Sequence, residues 1–154
     1  MCIFHVTSND HSFKEFLKLH PELPVYQSHE KGDTPKIRQE DQVHEDYGFS
    51  CDVSDREWQD MEGQIIDMIS FLEVYTPYLQ KLKESHQITD WRFDLPYECR
   101  LNEKKFTQCD YLPPKLMHLM GALEIGLELS LYWPNMEDDE DEIDDTGQAN
   151  SDTD

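Results

Sequence analysis

Basic residues are scarce in this sequence. Lys and Arg together number 13 against 34 Asp and Glu, which gives a formal net charge of -21 over 154 residues. A surface of this sign repels the phosphate backbone of nucleic acids and anionic lipid headgroups, and it attracts basic partners. The imbalance argues against direct binding of nucleic acid or of a membrane surface, and it favours a basic protein as the partner.

Long apolar runs are also absent. No stretch approaches the roughly 18–20 apolar residues that a membrane-spanning helix needs. The first residues, MCIFHVTSNDHSFKEF, contain neither the basic segment nor the apolar run of a signal peptide. We therefore expect a cytoplasmic protein that does not engage a membrane.

The motifs of common catalytic and cofactor chemistry are missing. The six glycines form neither GxGxxG nor GKS, and the chain contains no GxSxG, HExxH or CxxC. We expect the four cysteines to be reduced thiols, mostly buried. Zinc sites need several ligands at characteristic spacings. No such spacing is present among the seven histidines, which are His5, His11, His20, His29, His44, His86 and His118. The sequence therefore predicts a non-enzymatic protein with no metal and no cofactor, although a site assembled from dispersed acidic residues is an alternative.

Acidic residues are concentrated at the C-terminal end. Residues 137–145 read EDDEDEIDD, and the segment 137–154 holds ten acidic residues and no Lys or Arg. Residues 1–136 keep 24 acidic and 13 basic residues, a net charge of -11, together with most of the apolar and aromatic residues. We predict a single folded domain over residues 1–136 and a disordered acidic tail over residues 137–154.

The spacing of apolar residues predicts strands that alternate with helices. Strands are predicted over 2–7, 23–29, 47–53, 88–95 and 127–133, with a further short strand at 105–109. Helices are predicted from Ser12 to Pro21, from Ser54 to Thr76, from Pro77 to about Ser85, and from Pro113 to Gly126. The strands alternate apolar and polar residues, which is typical of a sheet with one solvated face. We predict an α+β two-layer sandwich with a mainly antiparallel sheet and helices on one face, of which a ferredoxin-like arrangement is a variant.

Local signals define the ends of the predicted helices. Capping boxes begin at Ser12 and at Ser54, the Thr76-Pro77 pair ends or kinks the long helix, and Gly126 suits a C-terminal cap. The three tryptophans fall on apolar faces, which predicts that they belong to the core: Trp58, Trp91 and Trp133.

An acidic stripe is predicted on the long helix. Glu57, Asp60 and Asp67 recur at helical spacing on the side away from its apolar residues, with no Lys or Arg interleaved. A stripe of this kind can be a docking surface for a basic partner, or a solvated face that keeps the protein soluble. The candidate partner-binding residues are these three together with the acidic residues of the tail: Glu137, Asp138, Asp139, Glu140, Asp141, Glu142, Asp144 and Asp145.

The stretch LPPKLMHLMGALEIGLELSLYW at 112–133 resembles the end of a bacterial family known only as domain of unknown function number 4279. Members of that family finish with a helix, a glycine-containing break and an alternating strand that ends in an aromatic residue. The similarity extends over residues 2–134 as an order of elements, with Phe49 where a Trp is expected. The family implies no catalytic residues. Some small acidic bacterial proteins of this general type act as immunity proteins against secreted toxins.

Three functional hypotheses follow. The first is an interaction protein that binds and neutralises a basic protein, such as a nuclease toxin. The second is a nucleic-acid mimic that occupies the groove of a basic protein, for which carboxylates must be held at phosphate-like spacing on a folded surface. The third is an enzyme whose site is assembled from dispersed acidic residues. Beside these stands a soluble domain whose tail only adds solubility. Deleting residues 137–154 separates the second hypothesis from effects of the tail.

Overall fold

The computed structural model describes residues 1–35, 43–102 and 104–133. The elements within them are β1 (Cys2–Ser8), α1 (Lys14–Leu19), β2 (Val25–His29), β3 (Tyr47–Ser54), α2 (Met61–Ser85), β4 (Asp90–Glu98), α3 (Pro114–Leu123) and β5 (Gly126–Tyr132). The predicted tail over 137–154 lies outside these residues, so the division into domain and tail stays a prediction.

Five strands form one sheet in the order β2-β3-β1-β4-β5. Strand β1 runs antiparallel to β3 and β4, and β2 runs antiparallel to β3. Only β5 is parallel to its neighbour, because α3 carries the chain back across the sheet from β4. The succession from β1 to β4 is the βαββαβ order of ferredoxin-like folds, to which α3 and β5 are added. The predicted α+β sandwich is confirmed.

The hydrophobic core lies between one face of the sheet and the three helices. In β1 the residues Cys2, Phe4, Val6 and Ser8 are buried, while the residues between them are only half-buried. Phe4 lies at the centre, with its ring 4.9 Å from that of Phe93 and 5.6 Å from that of Phe71. The alternation that predicted these strands therefore separates a packed face from a wetter one, as expected.

The predicted helix start at Ser54 is wrong. Ser54 pairs with Cys2 as the last residue of β3, and this pairing keeps its backbone extended. Helix α2 begins at Met61, where Asp60 is the N-cap and its carboxylate accepts a hydrogen bond from the Gly63 amide at 2.9 Å. The reciprocal box predicted between Ser12 and Glu15 is also absent. The N-cap of α1 is Phe13, whose side chain makes no cap, while the Ser12 hydroxyl accepts a hydrogen bond from the Lys14 amide at 3.3 Å and donates to Glu30.

The predicted end of the long helix at Thr76-Pro77 does not occur, and α2 runs through Pro77 to Ser85. Proline in a helix interior costs about 3 kcal/mol. Beyond it, however, Leu79 and Leu82 are fully buried against the core, and this burial favours continuing the helix. Within the described parts of the chain, neither α2 nor any other helix is long and apolar enough to cross a membrane.

Two further predictions near the C-terminal end are wrong. Helix α3 is capped by Glu124 in the left-handed conformation with φ 63°, and the Ile125 amide donates to the Met120 carbonyl at 3.0 Å. Gly126 consequently starts β5 rather than capping the helix. The strand predicted at 105–109 is absent. Near it, Asn102 and Lys105 form an isolated antiparallel bridge.

Candidate protein-binding surface

The three acidic residues predicted on one helix stripe lie in three different settings. Glu57 is exposed in the loop before α2, Asp60 caps the helix, and Asp67 lies within it. Arg56 folds back from the same loop, so that its Nη1 lies 2.8 Å from Asp60 and its Nε lies 2.8 Å from Asp67. A basic residue therefore interrupts the stripe. The sequence signal that indicates it is the four-residue spacing of Arg56 and Asp60, at which opposite charges pair even within the predicted helix.

Arg56 changes the chemistry of this acidic group. Burial opposes ionisation of Asp67, but hydrogen bonds from Arg56 and Ser54 outweigh it and hold the pKa of Asp67 below its ordinary value. Hydrogen bonds from Arg56 and from the Gly63 amide likewise lower the pKa of Asp60. Both carboxylates are ionised and paired, whereas Glu57 has no ion pair among the described residues.

We predict that Arg56→Ala raises the pKa of both Asp60 and Asp67, because it removes hydrogen bonds and a positive charge that favour their ionised forms. Carboxyl carbon chemical shifts followed by NMR over a pH titration measure this directly. Lys81→Ala, which removes an exposed lysine elsewhere on α2, is the matched control and leaves both values unchanged. Unchanged values in Arg56→Ala would mean that the two ion pairs do not persist in solution.

Strand β5 forms one edge of the sheet and exposes most of its apolar residues. Leu127 packs against the core, but beyond it the exposed fractions are 46% for Leu129, 53% for Leu131 and 64% for Trp133. Within the described residues no strand pairs with the outer side of β5. The alternating pattern thus predicted the strand correctly, but it did not indicate that the helices leave its second half uncovered.

Aromatic residues extend this surface around the end of the strand. The rings of Trp58 and Tyr132 stack with centroids 4.4 Å apart and planes inclined by 21°, and both side chains are more than two-fifths exposed. Trp58 and Trp133 were predicted to lie in the core, and that prediction is wrong. Only Trp91, which donates to the Glu124 carbonyl at 3.1 Å, is buried as expected. We call Trp58, Leu129, Leu131, Tyr132 and Trp133 the β5 edge.

Acidic residues flank the β5 edge. Glu57 adjoins Trp58 in the loop, and Glu98 is opposite Tyr132 in the register of β4 and β5. The run of acidic residues from Glu137 to Asp145 begins four positions after Trp133 in the sequence. The predicted partner-binding residues of this run lie outside the described residues. The one predicted residue that the fold brings to the β5 edge is therefore Glu57.

The described residues offer little for catalysis by paired carboxylates. None of their Asp or Glu side chains is buried, whereas general acid catalysis by a carboxyl group commonly depends on a buried one. Burial raises the pKa of the thiols of Cys2 and Cys51 to about 12, which leaves them in the unreactive protonated form. Three of the four cysteines are buried, as predicted.

Comparisons with known proteins found no relative of this chain. No family model matches the chain, and neither a curated protein nor a solved structure matches it. The resemblance to the family of unknown function number 4279 stays a prediction.

Proposed function

We propose that this protein is a non-enzymatic interaction protein that binds an extended, basic segment of a partner protein along the β5 edge. The single observation that carries this proposal is that β5 has no neighbouring strand on its outer side among the described residues, while Leu129, Leu131 and the following Trp133 are exposed. An unpaired edge strand presents backbone amides and carbonyls that a further strand can use. Extended peptides are recognised in this way by adding a strand to a sheet.

The side chains of the β5 edge supply the apolar part of such an interface. Tryptophan and tyrosine contribute large contact areas and are enriched at the centres of protein interfaces. Here the stacked pair of Trp58 and Tyr132 already has its rings ordered against each other, so less side-chain entropy is lost on binding. An exposed apolar group of this kind at a sheet edge is a common mark of a binding site.

Charge supports a basic partner over a neutral one. Glu57 and Glu98 flank the edge, and the chain carries a net charge of -21. Charges at the rim of an interface accelerate association and discriminate among partners more than they add affinity. The acidic residues 137–145 follow β5 directly in the sequence, which suits a role in attracting the partner before it docks.

A cytoplasmic immunity protein that neutralises a basic toxin is one member of the class that we propose. Its toxin would contribute an exposed basic strand or an extended terminal segment. The nucleic-acid mimic is the less favoured alternative, because Arg56 and Arg92 pair with Asp60, Asp67, Asp90 and Glu128 on the folded surface and so break up the array of free carboxylates that mimicry needs.

The test uses peptides of alternating valine and lysine, with valine and glutamate as the opposite-charge control. We expect the wild-type protein to bind the lysine peptide in preference, with a dissociation constant that rises as salt is raised from about 50 to 300 mM. Leu131→Lys should weaken binding about tenfold or more, since it places a charge in the apolar centre and repels the peptide. Fluorescence anisotropy of labelled peptide measures each constant.

Val74→Lys is the matched control, because Val74 is an apolar residue on α2 that is 60% exposed, against 53% for Leu131. It makes the same change in charge and should leave peptide binding unaltered. Equal losses in Val74→Lys and Leu131→Lys would reduce the effect to net charge and contradict the proposed edge. A chain that lacks residues 137–154 should keep the effect of Leu131→Lys but show a weaker dependence on salt. Complete loss of binding on that deletion would place recognition in the tail instead.

A further inference from the structure

At the opposite edge of the sheet, the end of β2 and the segment before β3 bring together two histidines and a carboxylate. One ligand atom each from His29, His44 and Asp46 lies within 4.8 Å of the other two. His29 Nε2 is 2.9 Å from the Asp46 carboxylate, and the rings of His29 and His44 stack with centroids 3.7 Å apart. The sequence predicted no metal site, because fourteen residues separate the two histidines and no helical ligand spacing is present.

Backbone hydrogen bonds hold the segment around His44 on both sides. The Gly32 amide donates to the His44 carbonyl at 2.8 Å, and the His44 amide donates to the Asp33 carbonyl at 2.9 Å. The Glu30 amide is bonded to the Asp33 carboxylate at 2.8 Å, and Gly32 takes a φ of 91° that favours glycine. These bonds tie the segment that bears His44 to the turn that follows His29.

Gly48 creates the space that the His29 ring occupies. A Cβ atom at this position would lie 2.3 Å from His29 Cε1 and 2.8 Å from its Nε2. No real Cβ tolerates such an approach, so any side chain here would displace the imidazole from Asp46. The absence of a side chain at position 48 is therefore a condition for the cluster.

The donor set matches a divalent ion of the zinc class. Imidazole nitrogen suits zinc, cobalt and nickel, whereas calcium and magnesium prefer oxygen ligands alone. In a tetrahedral site with ligands at about 2.1 Å, the ligand atoms are about 3.4 Å apart. Binding one ion requires side-chain rotation, because the two imidazole planes are inclined by only 16° and an ion must lie in the plane of each ring that binds it. The rings must turn out of the stack, and the 2.9 Å contact between His29 and Asp46 must lengthen. A cleft of about 600 Å³, bordered by His29, Asp33 and His44, leaves room for water at a fourth position.

We propose that His29, His44 and Asp46 bind one zinc-class divalent cation, with water completing the coordination. The ion would join the end of β2 to the entry of β3 and close the connection between them. Its site lies at the β2 edge, at the other end of the sheet from β5, so it is independent of the proposed protein-binding function. Binding to the folded state alone stabilises that state.

The experiment titrates the full-length protein with Co²⁺ and with Zn²⁺ at about pH 7.5, where free imidazole is neutral. We expect Co²⁺ to give the visible absorption of a low-coordinate site with nitrogen ligands, and Zn²⁺ to displace it and raise the midpoint of thermal unfolding. His29→Gln, His44→Gln and Asp46→Asn should each lower Zn²⁺ affinity about 10–100-fold or more. His118→Gln, on α3, is the matched histidine control and should bind as the wild type does.

The acidic tail makes a second measurement necessary, since carboxylates bind cations weakly without a built site. A chain without residues 137–154 should keep the Co²⁺ absorption and its loss in His29→Gln. Gly48→Ala should weaken binding while all three ligands remain, because its Cβ displaces the His29 ring. Zinc affinity that is unchanged in the doubly substituted His29→Gln and His44→Gln protein, or a Co²⁺ spectrum without nitrogen ligation in the wild type, would overturn the proposal. Circular dichroism of each variant verifies that it is folded.

Discussion

Replacing Phe4 by alanine is expected to lower the free energy of unfolding by about 3–5 kcal/mol. Phe4 is fully buried in the middle of the central strand, where its ring meets Phe71, Trp91 and Phe93 with centroid distances of 5.6, 6.2 and 4.9 Å. Alanine removes the apolar surface and leaves a cavity that these rings, held by a strand and a helix, close only in part. Chemical denaturation at neutral pH measures the loss.

Ile3→Ala is the matched control, since it truncates the adjacent residue of the same strand on the other face of the sheet. Ile3 is only half-buried, so we expect a loss less than half as large. Equal losses in the two variants would contradict the division of this sheet into a packed and a wet face, on which the description of the core depends.

Gln64→Glu is expected to destabilise the protein by about 2–4 kcal/mol at pH 7. Gln64 is fully buried on α2, and its amide donates to the Pro96 carbonyl of β4 at 2.9 Å and more weakly to the Glu57 carbonyl at 3.4 Å. Its Oε1 has no hydrogen-bond partner among the described residues. A carboxylate here would replace the donating NH2 group by an acceptor oxygen that faces both carbonyls, and it would bury a negative charge with no donor beside it in the described part of the chain.

The destabilisation by Gln64→Glu should depend on pH. Burial disfavours the ionised form, so the pKa of the introduced carboxyl in the folded state lies above its unfolded value of about 4.3. The loss is therefore smallest below that value and grows as pH rises toward the folded-state pKa. Denaturation of the variant and the wild type at a series of pH values gives the difference. Gln64→Met keeps the volume without the charge, and its loss should not vary with pH. A constant loss in Gln64→Glu would mean that water or a rearranged partner solvates this position.

Several elements were predictable because they depend on local rules. The alternation in 47–53, 88–95 and 127–133 predicted strands that the structure contains, and the apolar spacing after Met61 predicted the long helix. The same rules failed where tertiary contacts compete with them. Pairing with β1 keeps Ser54 in a strand despite its capping box, and burial of Leu79 and Leu82 carries α2 through Pro77.

The candidate sites were less predictable, since neither follows a motif. Periodicity assigned Leu129, Leu131 and Trp133 to an apolar face. Whether another element covers that face depends on the strand order, which places β5 at the edge of the sheet. The same holds for His29 and His44, whose approach depends on the turn at Gly32 and the space above Gly48. The four-residue spacing of Arg56 and Asp60 indicates their pairing from the sequence, whereas the pairing of Arg56 with Asp67, eleven residues away, depends on the loop that folds Arg56 back onto α2.

The sequence by itself determined the acidity of this protein, the α+β class and the alternation that builds its sheet, because charge, composition and periodicity are properties of residues and their near neighbours. Only the tertiary structure decided which carboxylates Arg56 pairs, which apolar residues stay exposed on β5, and which histidines meet beside Asp46. Those outcomes depend on strand order and on close approaches between residues far apart in the chain, and the free energies that select them are summed over the whole fold.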